Sequence, residues 1–400
     1  MNKRSPLILA AIAVLAAAPA FASGFGFYEQ GAKASGQAGA WVARADDASA
    51  NWYNPAALVN LTGREVQLGV NYLQPGNDTQ FSPTAAPGAT IDAVSNAVTP
   101  AHFYFSQKIN DRVAWGVGLN SPFGLETEWD APPAVQVASV SELRTYLLNP
   151  NVAFKLGNYW SVGFGVDYIA AEVHEFSQEP VPGVVTTNLT GEGDAWGYNF
   201  ALQFKMKSFS IAGQYRSELR NEIFGNFSTN SPLGSTNTPA TAFLDLPGQT
   251  LLGVAWTGER VDVEVGGYYT QWNYFKSLDV VFPPSTTPAI SIPQFWEGTW
   301  SYRLGLAFRL GKEMHHELRV GGVLDESPVP PEFLRPSIPD SDRVGGTLGY
   351  GFQGKSWGVD AYAMYLDFDD ATAIGTAPLV IDGTYTNSIW LAGVSAKYRF

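Results

Sequence analysis

The chain has 400 residues, no cysteine, a formal net charge of −13, and 15% charged residues against 14% aromatic ones. Without cysteine there is neither a disulfide framework nor a thiolate metal site. The acidic surplus argues against nucleic acid, whose phosphates need clustered Lys and Arg. So many rings exceed what an ordinary soluble domain uses, whereas a transmembrane barrel places them at both membrane–water interfaces.

The chain opens MNKRSPLILAAIAVLAAAPAFAS. Lys3 and Arg4, an apolar core over 7–18, Pro19 and the small–x–small site Ala20-Phe21-Ala22 have the form of a secretory signal cleaved before Ser23. The core is short for a span, which makes an N-terminal anchor helix the weaker reading. No later apolar run approaches ~20 residues, so no helical span is expected. The expected division is 1–22 signal peptide, 23–64 hatch and 65–400 barrel.

Residues 23–58 are crowded with Gly and Ala and lack the alternation of a membrane strand. Irregular backbone fixed to the start of a closed sheet is tolerated in the lumen, where protein and water satisfy it, so this segment reads as a plug. Asp46, Asp47, Asn51 and Asn54 suit local turns, and Pro55, ahead of Ala56, biases Asn54 away from helix. A purely structural turn is the competing reading.

From Glu65 onward, period-two stretches of about ten residues alternate with turns. Tight turns stand at Asn110-Asp111, Gly157-Asn158, Met206-Lys207-Ser208, Gly258-Glu259, Gly311-Lys312 and Gly354-Lys355. Long connections are expected near 75–99, 126–141, 178–191, 227–241, 276–296, 327–341 and 370–386. Alternating the two kinds gives an all-β protein, a fourteen-stranded antiparallel transmembrane barrel with short turns in the periplasm and long loops outside. The last strand shows its faces most plainly: Trp390, Ala392, Val394, Ala396, Tyr398 and Phe400 on one, Leu391, Gly393, Ser395, Lys397 and Arg399 on the other. At ~3.3 Å per residue and a tilt near 40°, it climbs roughly 25 Å, the height of the apolar band. Trp357, Val359, Ala361, Ala363 and Tyr365 repeat the pattern, as do Tyr146, Leu148, Val152, Phe154 and Leu156. A soluble sandwich would carry more Lys and Glu on its wet face.

Strand three, RVAWGVGLNSPFGLETEW over 112–129, breaks the rule at Asn120-Ser121-Pro122-Phe123-Gly124. Proline removes a ladder hydrogen bond, and an unpaired group facing hydrocarbon costs several kcal/mol. The break therefore turns inward or is satisfied from the lumen, leaving a notch in the wall. The plain alternative is a short strand entering its loop.

At these residues the chain resembles the FadL family of outer-membrane transporters for long-chain fatty acids and other hydrophobic compounds, including the aromatic-hydrocarbon branch. The likeness runs through Gly24-Phe25, Ala45-Asp46-Asp47-Ala48, Asn54-Pro55-Ala56, Asn110-Asp111 with Trp115-Gly116, the break at 121–124, Asp325-Glu326-Ser327-Pro328-Val329-Pro330 and Ile338-Pro339-Asp340-Ser341-Asp342-Arg343. The resemblance implies passive, ligand-gated uptake: capture by outer loops, a pocket above the hatch near Phe25 and Phe27, a hatch fixed by Asn54-Pro55-Ala56, and lateral exit at 120–124. Fatty-acid carriers of the family place basic side chains in the pocket, where this chain aligns Glu175 and Trp300 or a neighbour. That favours a neutral ligand, although Arg144, Arg216 or Arg303 could still supply a cation. The expected partners are the hydrophobic ligand, outer-membrane lipid and lipopolysaccharide, and the barrel-assembly machinery; Glu126, Glu128 and Asp130 read as a solvated outer face, with bridging of lipopolysaccharide through divalent ions the weaker reading. A monomer without cofactor or metal is expected.

The competing functions are an outer-membrane lipid hydrolase and a nonselective porin. The first needs a Ser–His pair with an orienting group. Only His102, His174, His315 and His316 are present to serve as the base; His102 reads as a rim residue and His315-His316 as a solvated pair. The second needs an open lumen with rings of charge.

Overall fold

Strands that alternate apolar and polar side chains can hide every backbone group from lipid only by closing on themselves, and this chain does so. The computed structural model describes residues 24–76 and 79–400; the expected signal peptide lies outside them. The fourteen barrel strands are β1 (Arg64–Pro75), β2 (Ala101–Asn110), β3 (Val113–Asn120 and Gly124–Glu128), β4 (Val140–Leu156), β5 (Trp160–Val181), β6 (Val185–Met206) and β7 (Phe209–Arg216 and Leu219–Ser231). They continue with β8 (Gly234–Leu246 and Gln249–Thr257), β9 (Val261–Thr270 and Ser277–Val281), β10 (Ile290–Pro293 and Thr299–Leu310), β11 (His316–Asp325), β12 (Arg343–Gln353), β13 (Trp357–Phe368) and β14 (Ser388–Arg399). Each pairs antiparallel with the next, and β1 closes the ring on β14 from Glu65↔Arg399 to Pro75↔Ile389.

Side-chain parity separates the two faces. Outward lie Trp115, Trp160, Trp256, Trp357 and Tyr398 near the short turns, and Tyr72, Trp196, Tyr198, Tyr302 and Trp390 toward the long-loop end, all well exposed. These are the two aromatic girdles of a membrane barrel, with Leu68, Val166, Leu252, Val265 and Leu348 between them. Inward lie Gln67, Ser106, Asn149, Asp167, Gln203 and Arg319, all buried.

Two of the expected long loops are not loops. Residues 178–191 and 227–241 continue as strand, turning only around Gly183 and Leu233, so the hairpins of β5–β6 and β7–β8 rise well past the membrane. They also pair with each other, from Phe224↔Glu192 to Asn230↔Thr186. The connections after β1 and β13 build a small sheet of their own, Gln80–Pro83, Ile91–Asp92, Ala371–Ala373 and Gly383–Thr386. Phe81, Trp129, Leu334 and Tyr385 form its core, a rigid cap over one side of the mouth.

Residues 24–61 are buried almost throughout. They carry two short helical turns, Ala32–Ser35 and Ala50–Tyr53, and a tighter turn, Pro55–Asn60, capped by the Asn54 side chain accepting from Ala56 N at 3.1 Å. Their partners are inward side chains around the barrel. Arg44 pairs with Asp262 and Glu264, Asp47 with Lys397, and Glu29 with Arg303. Gly163 of β5 and Gly321 of β11 allow close approach: a Cβ at Gly163 would stand 2.5 Å from Ala56 N, and one at Gly321 would stand 2.4 Å from Gln37 C.

Candidate ligand-binding site

The site is built around the break in β3. Pairing stops at Asn120 and resumes at Gly124, so this is an interruption rather than the end of a short strand. The freed backbone groups are taken up from inside: Phe27 N donates to Pro122 O (2.8 Å), Gly124 N to Phe25 O (2.9 Å), and Gln30 Nε2 to Ser121 O (2.8 Å). Thr145 of β4 accepts from Phe123 N at 3.2 Å. Residues 25–27 thus form a one-rung antiparallel bridge, Gly26↔Phe123, across the notch.

Beside this bridge Phe25 packs edge-on to Trp272 (ring centroids 4.7 Å), Phe275 (5.5 Å) and Phe123 (6.2 Å), and tilted to Trp296 (5.6 Å). Trp272, Phe275 and Trp296 stand where β9 and β10 are themselves interrupted. Gly24 has φ +70°, and a Cβ there would overlap Trp296 and Trp272, so glycine is required on both counts. Gly24 N donates to Asp340 Oδ2 at 2.9 Å. Burial pushes the Asp340 carboxyl up to about 6, against the pull of Arg343 and of the Gly24 and Ser327 donors.

Above this cluster lies an open cleft enclosing about 630 Å³ of space, its solvent-facing mouth included. Phe25 and Phe275 line it with Leu125, Leu143, Val173, Phe176, Leu189, Ile223, Leu244, Leu278 and Ile338, and Glu142, Gln294 and Ser337 are its polar members. A second cleft, about 820 Å³ with its open mouth included, lies among the raised hairpins, lined by Phe227, Val280, Ile290, Ile292, Pro378 and Leu379. Phe176, Leu189 and Leu278 line both, so the two adjoin. Such walls suit an apolar ligand that buries most of its surface.

The other expected site residues are placed as follows. Phe27 packs on the far side of the segment against Leu73, Tyr362 and Met364, away from the cavities. Trp300 takes the outward parity, because Ser301 and Arg303 hold the inward one, and it stacks on Tyr302 in the girdle. Glu175 stands opposite Glu142 in the β4–β5 ladder. Asp46 pairs with Lys33 at 2.7 Å, and Asp47 accepts from Ser49 N at 3.1 Å. Asn54 Nδ2 donates to Val42 O at 2.7 Å, and Pro55 and Ala56 rest on Gly163. His102 is not a rim residue: it points inward, buried, with Nε2 3.0 Å from Ser395 Oγ. The three arginines considered as pocket cations are neutralised. Arg144 pairs with Glu142, Arg216 with Asp167, and Arg303 with Glu29 and Asp325.

Sequence reasoning missed Trp272, Phe275 and Trp296. The signal was there: Gln271-Trp272-Asn273-Tyr274-Phe275 and Gln294-Phe295-Trp296 set rings in stretches without strand alternation. Among the described residues no group of His, Asp and Glu could hold a metal ion.

The model of the family described as "Outer membrane protein transport protein (OMPP1/FadL/TodX)" matches residues 13–400. The long-chain fatty acid transport protein of Escherichia coli K12 is 26% identical, with 98% of each chain covered. Outer membrane protein P1 of Haemophilus influenzae is 29% identical, with 100% of each covered. Among solved structures, a Pseudomonas aeruginosa FadL homologue aligns with TM-score 0.82 at 20% identity, covering 94% of this chain and 100% of that one. The Pseudomonas putida toluene transporter TodX aligns with TM-score 0.70 at 16% identity, covering 92% and 98%. At those identities the solved structures speak for the fold.

Proposed function

Because the chain belongs to the outer membrane protein transport family of OMPP1, FadL and TodX, outer-membrane barrels that carry hydrophobic compounds and are not enzymes, we propose that residues 23–64 act as its hatch. On this reading, uptake is passive and ligand-gated, and cargo leaves sideways through the interruption in β3. The cargo class is long-chain fatty acids, as the relatives' names have it, or aromatic and aliphatic hydrocarbons.

The observation that carries this reading is that Ser121 O, Pro122 O and Gly124 N of the break are hydrogen-bonded to the leading segment, with only Phe123 held by the Thr145 side chain of β4. A wall closed that way opens when the segment withdraws, without breaking the barrel ladder. Cargo collects in the outer cavity, passes to the inner one and presses on Phe25. Displacing Phe25 removes the bridge at Gly26 and unpairs Pro122 O and Gly124 N, which costs several kcal/mol beside hydrocarbon, so the opening is transient and recloses once the cargo has passed. Physical chemistry favours the sideways route. An alkyl chain gains about 0.8 kcal/mol per buried CH₂, so returning it to water in the periplasm costs what capture supplied, whereas moving it into lipid costs little.

Replacing Ser121-Pro122-Phe123-Gly124 with a regular alternating segment restores a continuous ladder. The expected result is loss of uptake of radiolabelled cargo by cells whose barrel still assembles, judged by heat-modifiable gel migration. Undiminished uptake by that variant would falsify lateral exit, and steady ion conductance indifferent to ligand would favour a porin.

A further inference from the structure

The candidate cations considered so far all face carboxylates; Arg335 does not. It lies in the connection between β11 and β12 and is 3% exposed. Its three hydrogen bonds all go to neutral oxygens: Nε to Pro378 O (3.0 Å), Nη1 to Gln294 Oε1 (2.8 Å) and Nη2 to Pro293 O (2.6 Å). The comparably buried Arg44, Arg216, Arg303, Arg319 and Arg343 each have an acidic partner. Among the described residues no ionisable group acts on Arg335; burial alone lowers it, to about 10, and it stays cationic at neutral pH. A guanidinium has five N–H donors, so two are left over.

Its position is as informative as its charge. Gln294, which holds Nη1, lines the inner cavity together with Ser337 and Ile338. Pro378, which holds Nε, lines the outer cavity with Ile292, the neighbour of Pro293. The unneutralised cation therefore sits one hydrogen bond behind the lining of each cavity, through Gln294 on one side and Pro378 on the other.

We propose that Arg335 is the anion site of the transport path: the carboxylate of an amphiphilic cargo takes the place on the guanidinium now held by Gln294 Oε1, while its alkyl tail lies in the adjoining cavities. The inference rests on the transport reading above and sharpens it toward acids. A carboxylate is the stronger acceptor, since a charge-assisted bidentate pair outweighs one amide bond. It also supplies the counter-charge that burial otherwise denies the arginine. A sequence scan for lumenal bases overlooks Arg335 because it stands in a Pro-rich connection, and only the folded loops bring Gln294 and Pro378 to it.

The test is binding of dodecanoate and of methyl dodecanoate to purified protein at about pH 7.5, in wild type, Arg335→Gln and Arg335→Lys. The expected result is an affinity for dodecanoate about ten-fold or more weaker in Arg335→Gln, intermediate in Arg335→Lys, and an unchanged affinity for the ester. Equal weakening of both probes would make Arg335 a loop staple and overturn the proposal, as would no change in either. Should Arg335→Gln fail to assemble, the wild type alone decides. Dodecanoate binding that falls as its carboxyl is protonated, with ester binding flat, supports the site; parallel curves overturn it. If wild type bound neither probe, the transport reading would fall with it.

Discussion

The tip of the leading segment, residues 24–27, and its body, residues 28–61, sit in one lumen but are held by different physics. The body is fixed by buried ion pairs and charge-assisted bonds to the wall. Arg44 reaches Asp262 and Glu264, Asp47 reaches Lys397, Ala43 N donates to Glu264 Oε1 at 2.8 Å, and Ala48 N donates to Glu65 Oε1 at 2.7 Å. The tip has two neutral backbone hydrogen bonds to the break in β3, one bond to Asp340, and ring packing around Phe25. Neutral hydrogen bonds contribute about 1 kcal/mol each, while breaking a buried ion pair costs about 3–5 kcal/mol. On the proposed reading, that difference makes the tip the part that moves in gating and leaves the body seated, with Gln30 still held to Ser121 O.

Locking the tip is the most severe way to test that division. Gly26 and Phe123 are directly opposed without mutual hydrogen bonds, the pair type with the closer Cα atoms, within disulfide reach. The chain has no native cysteine to interfere. Gly26→Cys with Phe123→Cys should bring uptake to background when oxidised and restore it on reduction. A staple in the body, Ala32→Cys with Ser395→Cys where Ala32 N lies 3.0 Å from Ser395 Oγ, should leave uptake intact. Equal loss from both staples would mean that the whole segment moves.

Unseating the body is the converse. Arg44→Met strands Glu264, fully buried, without its cation, at a cost of about 3–5 kcal/mol. The expected outcome is a steady ionic current in planar bilayers that wild type lacks. Adding Glu264→Gln should restore much of the seal, because the amide removes the stranded charge and keeps an acceptor for Ala43 N.

Sequence patterning disclosed what local physics decides. All six short turns fall between barrel strands, and the parity of Trp390 to Tyr398 holds in the fold, because alternation over ten residues has one way to face lipid and lumen. The hairpins over 178–191 and 227–241 read as loops because Thr, Asn and Gly there meet water on both faces; what makes them strands is pairing between hairpins distant in sequence. The cavity was legible only at Phe25. Its other walls come from interrupted strands and connections whose mutual positions are tertiary. The outward turn of Trp300 and the inward turn of His102 are one-residue parity matters that a break nearby makes unreadable.

The mildest probe of the tip is acidity. Asp340 accepts from Gly24 N and Ser327 Oγ and lies near Arg343. Burial has raised it to about 6, so it gains a proton between neutral pH and pH ~5. A neutral carboxyl is the weaker acceptor, so the Gly24 bond loosens as pH falls. The effect on global stability has the opposite sign. A carboxyl whose folded pKa exceeds its unfolded value binds protons more readily when folded, so lowering pH through 6 adds stability from this group. Loosening of the tip in that window is therefore local and not incipient unfolding. Amide exchange at 24–27 should accelerate with a midpoint near 6, while the thermal unfolding midpoint holds or rises. Asp340→Asn should abolish the pH step. A step that persists in the variant, or one accompanied by a falling unfolding temperature, would place the acid sensitivity elsewhere in the barrel.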